Sequence, residues 1–184
     1  CNQENYTNAL NWAHKAIKAE PTSARAQNAT GVIYYHKGND IEALKAFREA
    51  LKHDPDNVDA YFNIGTIYCY HNNFDNAINT LRKGLKENRK SVKLYYCLGW
   101  AFMLKGDKQK AIECLQTVIG LDTGYVNAYY RLGDIYFGNG EFNKAIEQYR
   151  KAIAIAARMT EGYRLLGRTY AETNDHGDAI RNYQ

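Results

Sequence analysis

Residues 92–125 read VKLYYCLGWAFMLKGDKQKAIECLQTVIGLDTGY, and the same pattern of small and aromatic residues recurs along the whole chain. Four series of such residues repeat at an interval of 34 positions, with no insertion that breaks the register. The series are Ala9, Ala43, Ala77, Ala111, Ala145 and Ala179; Gly31, Gly65, Gly99, Gly133 and Gly167; Tyr61, Tyr95, Tyr129 and Tyr163; and Tyr34, Tyr68, Phe102, Tyr136 and Tyr170. Four independent series with one period indicate an array of repeated structural units.

Each unit is predicted to be a pair of helices. Within residues 24–57, apolar side chains recur at helical spacing on both sides of Gly38-Asn39-Asp40. Glycine accepts the left-handed backbone that ends a helix, and Asn or Asp caps the helix that follows. Asp54-Pro55 then stops the second helix. Equivalent breaks stand at Asn72-Asn73, Gly106-Asp107, Gly140-Glu141 and Asn174-Asp175.

The recurring small residues predict how the helices pack. A glycine inside a helix costs about 1 kcal/mol relative to alanine, so its recurrence indicates that another helix must come very close. We expect Gly31 and its equivalents to face the second helix of their own unit, with the alanine series opposite. The large tyrosines should fill the space between neighbouring units. A single helix pair cannot bury its apolar face alone, so the units must stack.

The composition excludes several classes of protein. The chain has 184 residues, of which 45% are hydrophobic and 24% charged, which is typical of a globular domain. The 24 Lys and Arg against 20 Asp and Glu give a net charge of +4, and the two signs are interspersed. This bias is too weak to predict a nucleic-acid partner. No apolar run approaches the roughly 18 residues that a membrane span needs.

The sequence carries no recognisable catalytic or metal-binding motif. Cys1, Cys69, Cys97 and Cys114 form neither a C-x-x-C pair nor a zinc-ligand spacing, and we expect free thiols in a reducing, cytoplasmic compartment. Cys1 leaves open a periplasmic or lipid-anchored alternative, since a processed lipoprotein begins with an acylated cysteine. Neither G-x-S-x-G nor H-E-x-x-H occurs. We therefore expect no enzymatic activity, no cofactor and no metal.

These features together resemble the tetratricopeptide repeat, whose 34-residue unit carries an aromatic, Leu-Gly, Tyr, Ala, Phe, Ala and Pro. In residues 92–125 the matching positions are Tyr95, Leu98-Gly99, Phe102, Ala111 and Leu115. The departures are mild: the closing proline occurs only at Pro21 and Pro55, and Gly84 replaces the usual alanine. The resemblance divides the chain, as one array, into a second helix at 2–21, complete repeats at 24–57, 58–91, 92–125 and 126–159, and a truncated fifth repeat at 160–184.

The resemblance implies an all-α, right-handed α-solenoid, a superhelix whose first helices line a concave groove that binds a peptide or protein segment. We expect one stripe of each first helix to line that groove. The predicted peptide-binding residues are Arg25, Asn28, Tyr35, Phe62, Thr66, Lys93, Tyr96, Trp100, Met103, Asn127, Tyr130, Asp134, Phe137, Arg164 and Arg168. Val32, Asp59, Cys69 and Glu161 fall on the same stripe.

The stripe is rich in the residue types that dominate protein interfaces. Trp100 beside Met103 suggests a pocket for an apolar anchor, and Arg164 with Arg168 suggests a carboxylate or phosphate site. The alternative is that Tyr96, Tyr130 and Trp100 pack against neighbouring first helices, and that the two arginines are simply solvated.

The likeness to one branch of the family is incomplete. Chaperone-binding members hold a C-terminal carboxylate with five polar residues, and only Asn63 and Lys93 fit two of those places, so binding of chaperone tails is not predicted. Three functions remain: an adaptor that binds a segment in the groove, a scaffold that self-associates through exposed repeat ends, and a regulatory part of a larger enzyme. The partner itself is not specified, because fold does not fix ligand.

Overall fold

A computed structural model describes residues 2–173, and all the regular structure in this range is helical. Ten helices follow one another in the described range: α1 (Asn2–Ala19), α2 (Ala24–His36), α3 (Asp40–His53), α4 (Val58–Tyr70), α5 (Phe74–Glu87), α6 (Val92–Lys105), α7 (Lys108–Leu121), α8 (Val126–Gly138), α9 (Phe142–Ile155) and α10 (Thr160–Glu172). The all-α class and the repeated helix pairs are confirmed. The predictions for Cys1, for the break at Asn174-Asp175 and for the part of the truncated fifth repeat that contains Ala179 lie outside the described residues.

The turn within each helix pair uses a left-handed residue, as the sequence predicted. Gly38, Gly106 and Gly140 have φ values of 76°, 87° and 75°, and Asn72 takes the equivalent place with a φ of 55°. Asn tolerates this conformation better than most other L-residues, although glycine adopts it without strain. The next helix is capped in α3 and α7, where Asn39 and Asp107 accept backbone N–H bonds from Glu42 and Lys110. The equivalent Asn73 and Glu141 make no such side-chain bond.

The glycine series lies at helix crossings. A Cβ added to Gly31 would stand 2.5 Å from the Phe47 ring, and one added to Gly65 would stand 2.8 Å from Leu81. Both partners belong to the second helix of the same repeat, so the predicted close approach is confirmed at these two positions and again at Gly133. The alanine series is fully buried at Ala43, Ala77, Ala111 and Ala145.

Gly84 has a packing explanation of the same kind. A Cβ at this position would lie 2.7 Å from the Tyr61 ring and 2.9 Å from the side chain of Leu94. Tyr61 from the same repeat and Leu94 from the next repeat therefore both pack against Gly84. Tyr163, at the equivalent place in the last described helix, is 37% exposed.

The chain divides into two compact units, residues 1–106 and 107–184. In the first unit, the core around Phe47 and Ile64 joins α3 and α4, with Tyr34 and Tyr68 packed at its edge. In the second unit, Tyr149 is completely buried and anchors a core between α8, α9 and α10. The prediction that the whole chain forms one continuous array remains a prediction.

A recurring arginine–aromatic contact ties successive repeats together within each unit. The Arg48 guanidinium donates to the Tyr68 hydroxyl at 2.7 Å, and Arg150 makes the same bond to Tyr170 at 2.5 Å. Arg82 lies over the ring of Phe102, 5.6 Å from its centroid. In each case the arginine is on a second helix, and the aromatic residue is on the first helix of the next repeat. The sequence analysis did not identify this contact, although the arginines share the 34-residue register.

Candidate functional site

The first helices of the first unit lie side by side, since α4 contacts both α2 and α6. We call the predicted stripe residues of these three helices the first-helix face. It comprises Arg25, Asn28, Val32, Tyr35, Asp59, Phe62, Thr66, Lys93, Tyr96, Trp100 and Met103.

A charged pair crosses this face from α4 to α6. The Lys93 ammonium bonds to the carboxylate of Asp59, its equivalent one repeat earlier, and lies 4.4 Å above the Phe62 ring centroid. Both charged side chains remain about half exposed, at 45% and 60%. Phe62 is therefore covered on one side by the lysine, and the paired charges stay accessible to a polar ligand.

An exposed aromatic pair stands further along the same face. The ring of Trp100 meets that of Tyr70 edge to face, with the centroids 5.4 Å apart. Trp100 is half-buried, whereas Tyr70 is 64% exposed. The sequence analysis placed Trp100 on the stripe and missed Tyr70. The sequence did contain a signal for Tyr70, because this residue belongs to a further series with the 34-residue interval. The series is His36, Tyr70 and Leu104, and each member directly follows a stripe position.

Tyr35 extends the aromatic pair onto α2. Burial is the main cause that raises the pKa of the Tyr35 hydroxyl, followed by the nearby Tyr70 hydroxyl and the Asp40 carboxylate. Asp40 is held in place by His71, whose Nε2 lies 2.7 Å from the carboxylate. The rings of Tyr35 on α2, Tyr70 on α4 and Trp100 on α6 thus lie together at one end of the first-helix face.

Two thiols lie under the middle of this face. Cys69 and Cys97 are 2% and 1% exposed, and Thr66 Oγ1 lies 3.8 Å from the Cys97 sulfur. A hydrogen bond between the thiols lowers the pKa of Cys69, and the same bond together with burial raises the pKa of Cys97 well above its usual value. Cys69, which the sequence placed on the stripe, is therefore part of the interior.

The remaining residues of the first-helix face differ in their solvent exposure. Arg25 is exposed in the first turn of α2, and Tyr96 and Met103 are half-buried. The Oδ1 atom of Asn28 is buried and has no hydrogen-bond partner among the described residues. Such an unsatisfied acceptor is costly unless a ligand or water reaches it.

One predicted stripe residue of the second unit is buried, and the prediction for it is wrong. Tyr130, predicted to line the groove, is only 7% exposed and packs in the core of α8, α9 and α10. Its hydroxyl approaches α10 so closely that a Cβ at Gly162 would stand 2.7 Å from it. The ring therefore fills the space between two repeats, which is the packing alternative that the sequence left open.

The other stripe residues of this unit differ in their contacts. Asp134 accepts a hydrogen bond from the buried Tyr149 hydroxyl at 2.9 Å. The Arg168 guanidinium stacks 3.9 Å from the Phe137 ring centroid. Asn127 is exposed.

The arginine pair predicted to hold an anion is also partly occupied. Arg164 binds the Glu161 carboxylate through two nitrogens, at 2.6 and 2.8 Å. Arg164, followed by Arg168, lowers the pKa of Glu161 despite the opposing effect of burial. The carboxylate expected from a ligand is thus supplied by the helix itself.

Between residues 5 and 173, no cluster of three or more His, Cys, Asp or Glu side chains is placed to hold a metal ion. Within the same range, none of the helices combines the length and apolar character required to cross a lipid bilayer.

Comparisons with known proteins agree with the fold. The TPR repeat matches residues 31–69 and 99–140, and the tetratricopeptide repeat matches residues 58–91 and 126–157. The chain belongs to the tetratricopeptide repeat family, whose members are typically protein-interaction modules. A comparison with curated proteins found no match.

Among solved structures, the chain is similar to the crystal structure of MamA, with 35% identity, a TM-score of 0.74, and coverage of 83% of this chain and 90% of that one. Pseudomonas aeruginosa PilF is 18% identical with a TM-score of 0.84, covering 98% of this chain and 82% of that one. YrrB, described as a TPR protein with an unusual peptide-binding site, is 20% identical with a TM-score of 0.69, covering 92% and 88%. At such identities the last two comparisons show the fold alone.

Proposed function

We propose that this protein is a non-enzymatic adaptor whose first-helix face binds an extended segment of a partner protein. The observation that carries the proposal is the aromatic pair of Trp100 and Tyr70, because the Tyr70 ring packs edge to face on Trp100 and is still 64% exposed, where a ligand can reach it. Aromatic anchors are the residues that most often dominate binding energy at protein interfaces.

The surroundings of the pair suit a peptide rather than a small molecule. The Lys93–Asp59 pair offers one charge of each sign about two to three helical turns away from these rings, along α4 and α6. Asn28, which is half-buried on α2, adds a polar side chain to the same set of residues. A peptide segment supplies both amide groups and apolar side chains along its length, so it can use these features together.

The test is to select peptides from a phage-displayed random library and to measure their affinity by fluorescence anisotropy. We expect Trp100→Ala to weaken the selected peptides about 30-fold, the equivalent of about 2 kcal/mol. Tyr70→Ala should weaken them several-fold, because it removes one wall of the same site.

Trp12→Ala is the matched control. Trp12 is 69% exposed on α1, which contributes no residue to the first-helix face, and its ring contacts Lys15. This variant should bind within about twofold of the wild type. Equal losses for Trp12→Ala and Trp100→Ala, or unchanged binding by a folded Trp100→Ala, would refute the assignment of the site.

A further inference from the structure

A second surface of the first unit is a cleft whose charged lining is entirely basic. It has a volume of about 530 Å³ and lies between α3, α4 and α5. Its lining contains four cations and no acidic residue within the described part of the chain. The cations are Arg48, Arg82, Lys83 and Lys86, and the other lining residues are Tyr68, Asn76, Asn79 and Thr80.

The four cations keep their positive charge unneutralised. None of them forms an ion pair with a carboxylate of residues 5–173, in contrast to Lys45 and Lys52 on α3 and to Lys93 and Lys105 on α6. Arg48 bonds to the neutral Tyr68 hydroxyl, and Arg82 lies over the Phe102 ring. Both guanidinium groups are thereby positioned while their charge stays available.

The 34-residue register shows that this concentration of charge is particular to one repeat. The position of Lys83 is occupied by Glu49, Thr117 and Lys151 in the other complete repeats. In the equivalent cleft on α9, Lys151 is bonded to Glu147 at 2.5 Å, so only the charge of Arg150 remains uncompensated in that lining. The contact between successive repeats explains Arg48 and Arg82, since Arg150 makes the same contact, but it does not explain Lys83 and Lys86.

We propose that this cleft binds an acidic segment of a partner protein, with two or three carboxylates held by the arginines and lysines. Charge complementarity identifies the class of ligand, and the amides of Asn76 and Asn79 add donors beside the cations.

The extent of the charge favours a short segment over a nucleic acid. On the adjoining helix α3, Lys45 and Lys52 are bonded to Glu42 and Glu49, both at 2.6 Å. A duplex that crossed from α5 to α3 would therefore meet carboxylates rather than a continuing basic stripe. The surface is separate from the first-helix face and does not depend on peptide binding there.

The experiment uses a fluorescein-labelled hexaglutamate peptide and the full chain at 50 mM and 300 mM salt. We expect measurable binding at low salt that weakens at least fivefold at high salt, because exposed charges are screened. Lys83→Gln/Lys86→Gln should weaken binding about tenfold at low salt. Lys144→Gln/Lys151→Gln is the matched control, since it removes the same charge from the equivalent helix α9, and should change binding less than twofold.

The proposal would be overturned if hexaglutamate did not bind at 50 mM salt, or if the two double variants lost affinity for it equally. It would also be overturned if a 20-base-pair DNA duplex or phosphatidylserine vesicles bound more tightly than hexaglutamate in a way that depends on Lys83 and Lys86. Trp100→Ala should leave hexaglutamate binding unchanged, so the two surfaces can fail independently. Circular dichroism of both double variants checks that the helices remain folded.

Discussion

Replacing Gly133 by alanine tests the close packing on which the repeat fold depends. A Cβ at this position would stand 2.3 Å from Cε1 of Tyr149, which is about 1 Å shorter than a normal contact. The ring cannot easily retreat, because Tyr149 is fully buried and its hydroxyl is bonded to Asp134 at 2.9 Å. Overpacking of this kind costs about 3 kcal/mol at the upper end of the usual range.

The helix preference of alanine offsets part of this cost. Alanine gains about 1 kcal/mol over glycine inside a helix, so we expect Gly133→Ala to lower the free energy of unfolding by about 2 kcal/mol. The assay is urea denaturation followed by circular dichroism at 222 nm. Two-state analysis requires coincident transitions by Tyr fluorescence, because repeat arrays can unfold in parts.

Gly120→Ala provides the matched control in the same unit. Gly120 lies near the end of α7, and a Cβ there would meet nothing within 4 Å. This variant should be as stable as the wild type or gain about 0.5 kcal/mol, since only backbone preference changes. If Gly133→Ala were as stable as Gly120→Ala, the glycine series could not be explained by helix contact.

Two further predictions concern the turns and the response to alkali. Asn72→Ala should lower the free energy of unfolding by about 1 kcal/mol in the same urea assay, because the backbone of Asn72 is left-handed, with a φ of 55°. Asn72→Gly should not lower it, because glycine adopts this conformation without strain. Equal stability of the two variants would contradict the prediction. Burial, and next the Asp134 carboxylate, raise the pKa of Tyr149 in the folded chain, so its contribution to stability is complete below pH ~10 and declines above it. This group should lower the free energy of unfolding by about 1.4 kcal/mol per pH unit. Urea titrations between pH 10 and 11 should therefore show a shallower loss of stability for Tyr149→Phe than for the wild type. An identical slope for the two proteins would show that Tyr149 ionises in the folded state.

The predicted stripe was only partly a surface. Tyr130 and Cys69 share the helical face of Trp100, yet both lie in the interior, because the neighbouring first helices close over them. The spacing of residues along one helix predicts the side of the helix on which each side chain lies. It does not give the distance to the next helix, which depends on the sizes of all the side chains between them. The exposed Tyr70 was missed for the same reason.

The sequence by itself determined the period, the helix pairs, the left-handed turns and the small residues at helix crossings. These features follow from local backbone preference and from a pattern repeated in register, so one unit predicts the others. Only the tertiary structure decided which aromatic rings are covered and which cations gather unpaired around the cleft between α3, α4 and α5. Those properties arise from side chains that are distant in sequence, and neither burial nor net local charge can be computed until the helices have been brought together.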